Sequence, residues 1–287
     1  MADGRDEVGA ERVRQFVRML DVERLDSDLF RAWNPPPPGE QRRTALFGGQ
    51  VAAHCLRAAA ATVTPEHRPH SLHGYFLRPG RDDAWTILRV ERIRDGRSFT
   101  TRTVVAQQDG EAIFSLTASF HRDEEGDETS TSIAADAGDP DELIAANGPT
   151  ENPWDVASPF ERVEVPGFGF LSERPEPRRA FWTRLRGGLP DDPVLHAAVL
   201  TFISDMGVVG AVRAALGRRD DVGMGASLDH ALWLHRPVRA DGWLLFDVWG
   251  RANGGSRGLG VGTLHTGDGT HALTVAQEAL VRFPREQ

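Results

Sequence analysis

Two runs of helical length in this chain are apolar around nearly their whole circumference. The first, Phe47–Thr62, is built mostly from Ala, Gly, Val and Leu and carries Cys55. The second, Val194–Val212, is the most apolar stretch of the sequence, yet it holds Asp205 in its middle. A helix without a polar face has to be enclosed by other elements. Behind each run the period changes to two, as in Thr100–Gln107, where β-rich residues alternate in the manner of strands. Asp95-Gly96, Asp109-Gly110 and Asp268-Gly269 punctuate these segments as short-hairpin dipeptides whose glycine readily takes positive φ. The pattern predicts, in each half, one long buried helix followed by a meander of about four antiparallel strands. Further strands are expected at Asp28–Trp33 in the first half, and at Phe160–Val165 and Arg179–Arg186 in the second.

The halves are copies of one plan. Arg78-Pro79 recurs as Arg236-Pro237 and Trp85 as Trp243, both at an offset of 158 residues. Asp109-Gly110 recurs at 159 and Arg122 as Arg282 at 160, a drift that marks a repeat with small insertions. A strongly curved antiparallel sheet wrapped around a buried helix satisfies both patterns, which makes the chain α+β. The division expected is an N-terminal unit over 1–122, an acidic linker over 123–155 and a C-terminal unit over 156–287.

Composition changes this picture in three places. The net charge of −9 is local: no basic residue falls between Arg122 and Arg162, an interval with twelve Asp and Glu, and its Gly, Ser, Thr and Pro content predicts a solvated connector. No basic stripe interleaved with aromatics suggests nucleic acid. The N-terminus is charged and no hydrophobic signal region follows it, and the one cysteine, Cys55, sits in an Ala-rich run as a small core residue, so a reducing cytoplasm is the expected setting. The Val194–Val212 run is long enough to span a bilayer, but Asp205 at its centre and the added polar His196 argue for a helix inside a soluble protein.

A carboxylate enclosed by apolar neighbours costs several kcal/mol unless it is partnered or used. Asp205 is therefore the first candidate for chemistry.

The runs Leu46–Gln50, His70–Gly80, Ala118–Phe120, Ala226–His230 with Trp233 and His235–Pro237, and Val275–Glu278 resemble those of the acyl-CoA thioesterase II family. The resemblance extends over nearly the whole chain and is weakest across 123–180. It implies a double hotdog fold, with two curved antiparallel sheets each wrapped around a long helix, and hydrolysis of acyl-CoA to free fatty acid and coenzyme A without a cofactor. It also implies a triad of Asp, a hydroxyl residue and Gln that orients the attacking water. Residue by residue, these match Asp205, Ser227 and Gln277.

The residues suit that task. Asp205 has to be ionised to act as a base, so it needs hydrogen bonds to its charged form, and a serine hydroxyl and a glutamine amide can donate them. Gly48 and Gly49 open the first-half helix, whose free N–H groups suit an oxyanion, with Gly49 placed near the thioester oxygen. His70 and His73 are read as packing or hydrogen-bonding residues, and no Cys/His spacing of the kind zinc requires is present, so no metal is expected. A serine-hydrolase triad of Ser227, Asp229 and His230 is set aside because adjacent strand residues point to opposite faces.

Every one of the 33 basic residues is Arg, which suits bidentate phosphate contacts, and Arg97 and Arg257 beside the hairpin turns are the candidates for coenzyme A. The oligomeric state is left open: a fused pair already buries the contact that single units obtain by dimerising, while strand edges and helices stay available for association as a homo-oligomer. The alternatives kept are a silent hotdog protein that binds acyl-CoA or an acyl carrier, and a hotdog hydratase or dehydratase.

Overall fold

The computed structural model describes residues 3–36, 45–134, 136–150, 158–169, 176–217 and 224–283. After helix α1 (Asp3–Leu20), the first half runs β1 (Glu23–Asp26), β2 (Leu29–Asn34), α2 (Gly48–Ala60), β3 (His67–Phe76), β4 (Ala84–Asp95), β5 (Phe99–Gln108) and β6 (Glu111–Arg122). A short helix α3 (Pro140–Asn147) leads to the second half: β7 (Phe160–Glu164), β8 (Arg178–Leu185), α4 (Pro193–Ser204), α5 (Val208–Ala214), β9 (Met224–Ser227), β10 (Asp229–Leu234), β11 (Leu244–Gly254), β12 (Arg257–Thr266) and β13 (His271–Arg282).

The strands form one antiparallel sheet in the order β1-β2-β4-β5-β6-β3-β10-β13-β12-β11-β8-β7, with β9 on the far end of β13. That order reads the same from either edge once each strand is replaced by its repeat partner. The halves meet where β3 pairs with β10, Leu72 opposite Leu232. The double hotdog architecture implied by the family resemblance is what the chain forms. All three strands expected ahead of the helices are present, as β2, β7 and β8.

Inside the curve, α2 lies against β3 to β6 and α5 against β8 and β11 to β13, while α4 packs on α2. Small residues make this possible. Ala52, Ala53, Cys55, Ala58 and Ala59 of α2 are fully enclosed, and burial pushes the Cys55 thiol above its usual range, as fits a core residue. At the Asp109-Gly110 turn both residues take positive φ, 51° and 81°, which closes a two-residue hairpin with the twist of its strands.

Three expectations need correction. The single helix expected over Val194–Val212 is two: α4 ends at Asp205, and Gly207 at φ 86° turns the chain into α5. Thr201 and Ser204 bond back to the carbonyls of Ala197 and Thr201, which weakens the end of α4. Secondly, Gly96 is not among the positive-φ glycines, and the turn after Asp95 also takes in Arg97 and Ser98. Thirdly, the acidic connector is not wholly a solvated linker: among its described residues it forms a helix and docks apolar side chains on the second half. Ile133, Ala137, Leu143 and Ile144 dock on Val163, Phe168, Trp182 and Leu245, and α3 begins at Pro140 with the Asp139 carboxylate capping Asp141 and Glu142 N–H groups. Arg178 locks this segment down, its guanidinium held by Asp136 at 2.6 Å and by Asp247 at 2.8 Å. Helix α1 had no counterpart among the expected elements; its Val13, Phe16 and Leu20 form a buried stripe.

Candidate active site

Helix α2 starts without a side-chain cap: its N-cap residue is Phe47, whose side chain cannot accept a hydrogen bond. The first N–H groups of a helix have no partner within it. One of them is satisfied from the other half of the chain, because Gly49 N–H donates to Asp205 Oδ2 at 2.9 Å. The break between α4 and α5 aims the Asp205 carboxylate at that helix end, where the positive end of the α2 dipole favours negative charge. The approach is possible only because both residues are glycine. A Cβ on Gly49 would stand 2.5 Å from the Phe202 carbonyl oxygen, and one on Gly48 would meet Phe76 Cζ at 2.7 Å and Asp205 Oδ2 at 2.8 Å.

The other two triad residues come from the sheet. Ser227 ends β9 opposite Ala279, and Gln277 lies two residues along the same strand, so both side chains stand on the inner face. Gln277 Nε2 donates to Ser227 Oγ at 2.8 Å, and Ser227 Oγ lies 3.5 Å from Asp205 Oδ1, longer than a good O–H···O bond. Opposite Gln277 is Gly260, where a Cβ would run into Val208 of α5 at 2.5 Å. The structure thus brings Asp205, Ser227 and Gln277 together from one helix end and two strands.

Asp205 is only 8% exposed and Gln277 fully buried. Burial raises the Asp205 carboxyl above the ordinary carboxylate range, while the charge of His230, the Gly49 N–H, Gln277 and Ser227 draw it back. The expected partners are present, and burial outweighs them. A base whose pKa is raised is the stronger proton acceptor once ionised.

Two residues complete the group that sequence reasoning missed. His230, 1% exposed, places Nδ1 2.5 Å from Gln277 Oε1 and Nε2 2.8 Å from Ser204 Oγ. Strand alternation puts Ser227 and His230 on opposite faces, yet both bond Gln277. The reason is a β-bulge: four steps from Ser227 to Ala231 are matched by three along β13, from Ala279 to Ala276. The extra residue turns the strand, and Asp229 Oδ1 takes the Glu278 N–H at 2.7 Å where the ladder is interrupted. The first half has a matching irregularity in β3, where Pro69 pairs with Phe120 but Ser71 with Ser119.

The remaining expectations fare differently. Gly49 is in the site, but its N–H is bound by Asp205, whereas the Gly48 N–H has no acceptor among the described residues. Arg257 is held by Glu278 at 2.9 Å. Arg97, exposed in the β4–β5 turn, offers its carbonyl to His67, and its guanidinium makes no ion pair among the described residues. Neither arginine contacts the Asp205 group. No group of three or more His, Cys, Asp or Glu able to hold a metal is found among the described residues.

The sequence matches two family models, the acyl-CoA thioesterase N-terminal domain over residues 35–121 and the acyl-CoA thioesterase C-terminal domain over 136–281. The chain belongs to the acyl-CoA thioesterase family. It is 34% identical to mouse acyl-coenzyme A thioesterase 8, in an alignment covering 98% of this chain and 93% of that one. With acyl-CoA thioesterase 2 of Haemophilus influenzae it shares 30% identity over 94% of this chain and 98% of the relative. Among solved structures, an acyl-CoA thioesterase II from Mycobacterium marinum is 37% identical, with a TM-score of 0.78 and coverage of 93% and 98%. The family's N- and C-terminal domain models fall on either side of the β3–β10 junction, so Gly49 belongs to the first and Asp205, Ser227 and Gln277 to the second.

Proposed function

We propose that this thioesterase hydrolyses acyl-CoA with a water molecule held by Asp205, Ser227 and Gln277, at the point where the N-terminus of α2 meets the break between α4 and α5. Its family membership makes it a thioester hydrolase acting on acyl-CoA, giving free fatty acid and coenzyme A. The observation that carries the site assignment is the convergence of a buried carboxylate, a hydroxyl and a carboxamide from distant segments, Ser227 lying 3.5 Å from Asp205 and Gln277 2.8 Å from Ser227.

In this reading ionised Asp205 takes a proton from the water as its oxygen attacks the thioester carbonyl carbon. Ser227 and Gln277 hold that water in line. The negative charge that gathers on the carbonyl oxygen is met by the Gly48 N–H, the helix-terminal donor without an acceptor among the described residues. The tetrahedral intermediate then expels the coenzyme A sulfur as the C–S bond breaks, and the proton held by Asp205 is available to it. Phe76, beside Gly48, and Phe47 and Phe202, whose rings lie 4.8 Å apart, give the acyl group apolar contact.

The finer assignments follow the same reading. Arg97 is the better placed of the two arginines for a coenzyme A phosphate, since Arg257 would first have to leave Glu278. The chain works as a cytoplasmic protein in which the Pro193–Ala214 run is core rather than a membrane span, supported by the burial of 67% of its most apolar window. Self-association through outer strands is compatible with one complete site per chain.

The test is a single turnover in ¹⁸O-labelled water with enzyme in excess. Direct attack by water puts the label into the fatty acid and none into the protein. Label appearing in the Asp205 carboxylate would mean that Asp205 attacks the thioester itself, and the water-holding role would be wrong.

A further inference from the structure

We propose that His230 is a positioning residue for the hydrolysis, holding the Gln277 carboxamide so that its NH₂ group, not its oxygen, faces Ser227. This rests on the reading of Asp205, Ser227 and Gln277 as the water-holding group. A carboxamide can present either end to a neighbour, and here the end matters. With NH₂ toward Ser227 Oγ, at 2.8 Å, the serine hydrogen is free for Asp205 Oδ1 or the water. With the oxygen toward Ser227, the serine would give that hydrogen to Gln277 instead, and the carboxylate would lose its donor.

What fixes the amide lies behind it. Gln277 Oε1 can only accept, so its 2.5 Å contact with His230 requires the hydrogen on Nδ1. In a neutral ring Nε2 then has to accept, and Ser204 Oγ stands 2.8 Å away to donate. The same hydroxyl reaches the Thr201 carbonyl at 2.7 Å, and when its hydrogen goes there Oγ accepts from Nε2–H instead. Ser204 therefore anchors the ring in either case, and it is the hydrogen on His230 Nδ1 that holds the amide with Oε1 toward the ring. Ser204 and Gln277 are fully buried and His230 is 1% exposed, so ordinary solvent cannot substitute for a missing partner. The β-bulge serves this arrangement, since without its extra residue His230 and Ser227 would not share a face.

The experiment compares His230→Leu, His230→Gln and Ser204→Ala with the wild type, with Asp205→Asn run in parallel. His230→Leu is expected to lower kcat by about 10- to 100-fold with KM within about twofold, the scale of a misplaced reacting group. His230→Gln, which can still donate to Oε1, is expected to recover most of that loss. If His230→Leu does not fold, Ser204→Ala carries the test, with a smaller loss of kcat at unchanged KM. Wild-type kcat in a folded His230→Leu or Ser204→Ala protein, or a loss confined to KM and melting temperature, overturns the positioning role. Should Asp205→Asn keep full turnover, the underlying site assignment fails instead, whatever the His230 variants do.

Discussion

Gly49 donates its backbone N–H to the Asp205 carboxylate at 2.9 Å, so the start of one half's helix is capped by a residue from the other half. The bond spans 156 residues of sequence and ties the two halves at the site itself. It predicts that Gly49→Ala is more damaging than Gly48→Ala. The added methyl at 49 meets the Phe202 backbone oxygen at 2.5 Å, which cannot move without shifting α4, while at 48 the nearest atom is the end of the Phe76 ring. Overpacking of this kind costs about 1–3 kcal/mol. Thermal melts of the two variants check the order, and equal melting temperatures would count against the close approach of α2 and α4.

The pH dependence follows from the raised Asp205 carboxyl. In the proposed mechanism activity needs the ionised form, so turnover is expected above the folded-state pKa and is lost as pH falls through it. The acid limb of kcat/KM therefore lies above about 3.9, the ordinary aspartate value. The stability effect has the opposite sense. A folded-state pKa above the unfolded one means that the native protein holds its proton more tightly, so ionising Asp205 lowers stability as pH rises between the two values. Asp205→Asn is expected to melt no lower than the wild type at neutral pH, with the advantage shrinking as pH falls toward the unfolded value. Denaturation at several pH values decides it.

Gln277→Ala removes the donor to Ser227 and leaves His230 Nδ1 without its buried acceptor. An unsatisfied buried group costs about 1–3 kcal/mol, and loss of the positioned donor lowers kcat as well. The expected result is a lower melting temperature together with a kcat drop of about tenfold or more. A variant that loses stability but keeps kcat would place Gln277 outside the chemistry.

Arg178 offers a test away from the site. Its guanidinium holds Asp136 of the connector and Asp247 of β11, and it is 5% exposed. Arg178→Ala strands the Asp247 carboxylate, 13% exposed as a side chain. Breaking such a pair costs about 3–5 kcal/mol. Chemical denaturation is expected to show that loss, with limited proteolysis cutting first within 123–150.

The fold was legible because the repeat states it twice: two apolar helices, two meanders, and hairpin dipeptides at matched positions. Helix α3 escaped because eight residues with Leu143 and Ile144 as its larger apolar side chains carry little periodicity. The split of the second apolar run was written in Asp205-Met206-Gly207, where a polar residue and a glycine follow each other, but hydrophobicity alone joined both sides into one helix. Asp205, Ser227 and Gln277 were identified from the motifs around them. His230 was not, because the alternation rule that excluded it assumes a regular strand and the bulge at Leu228 breaks that rule. That Asp205 takes the Gly49 N–H was hidden for a related reason: which N–H of the α2 start is left free depends on where the Asp205 side chain arrives, and that is set by tertiary structure.

Steady-state hydrolysis of a panel of acyl-CoAs, followed by release of free thiol, for the wild type and Asp205→Asn, tests the central claim most directly. Loss of a positioned base is worth about 10²- to 10⁴-fold, so kcat/KM of the variant is expected to fall by at least a hundredfold while the protein stays folded. A folded Asp205→Asn protein that turns over every acyl-CoA at the wild-type rate would contradict it.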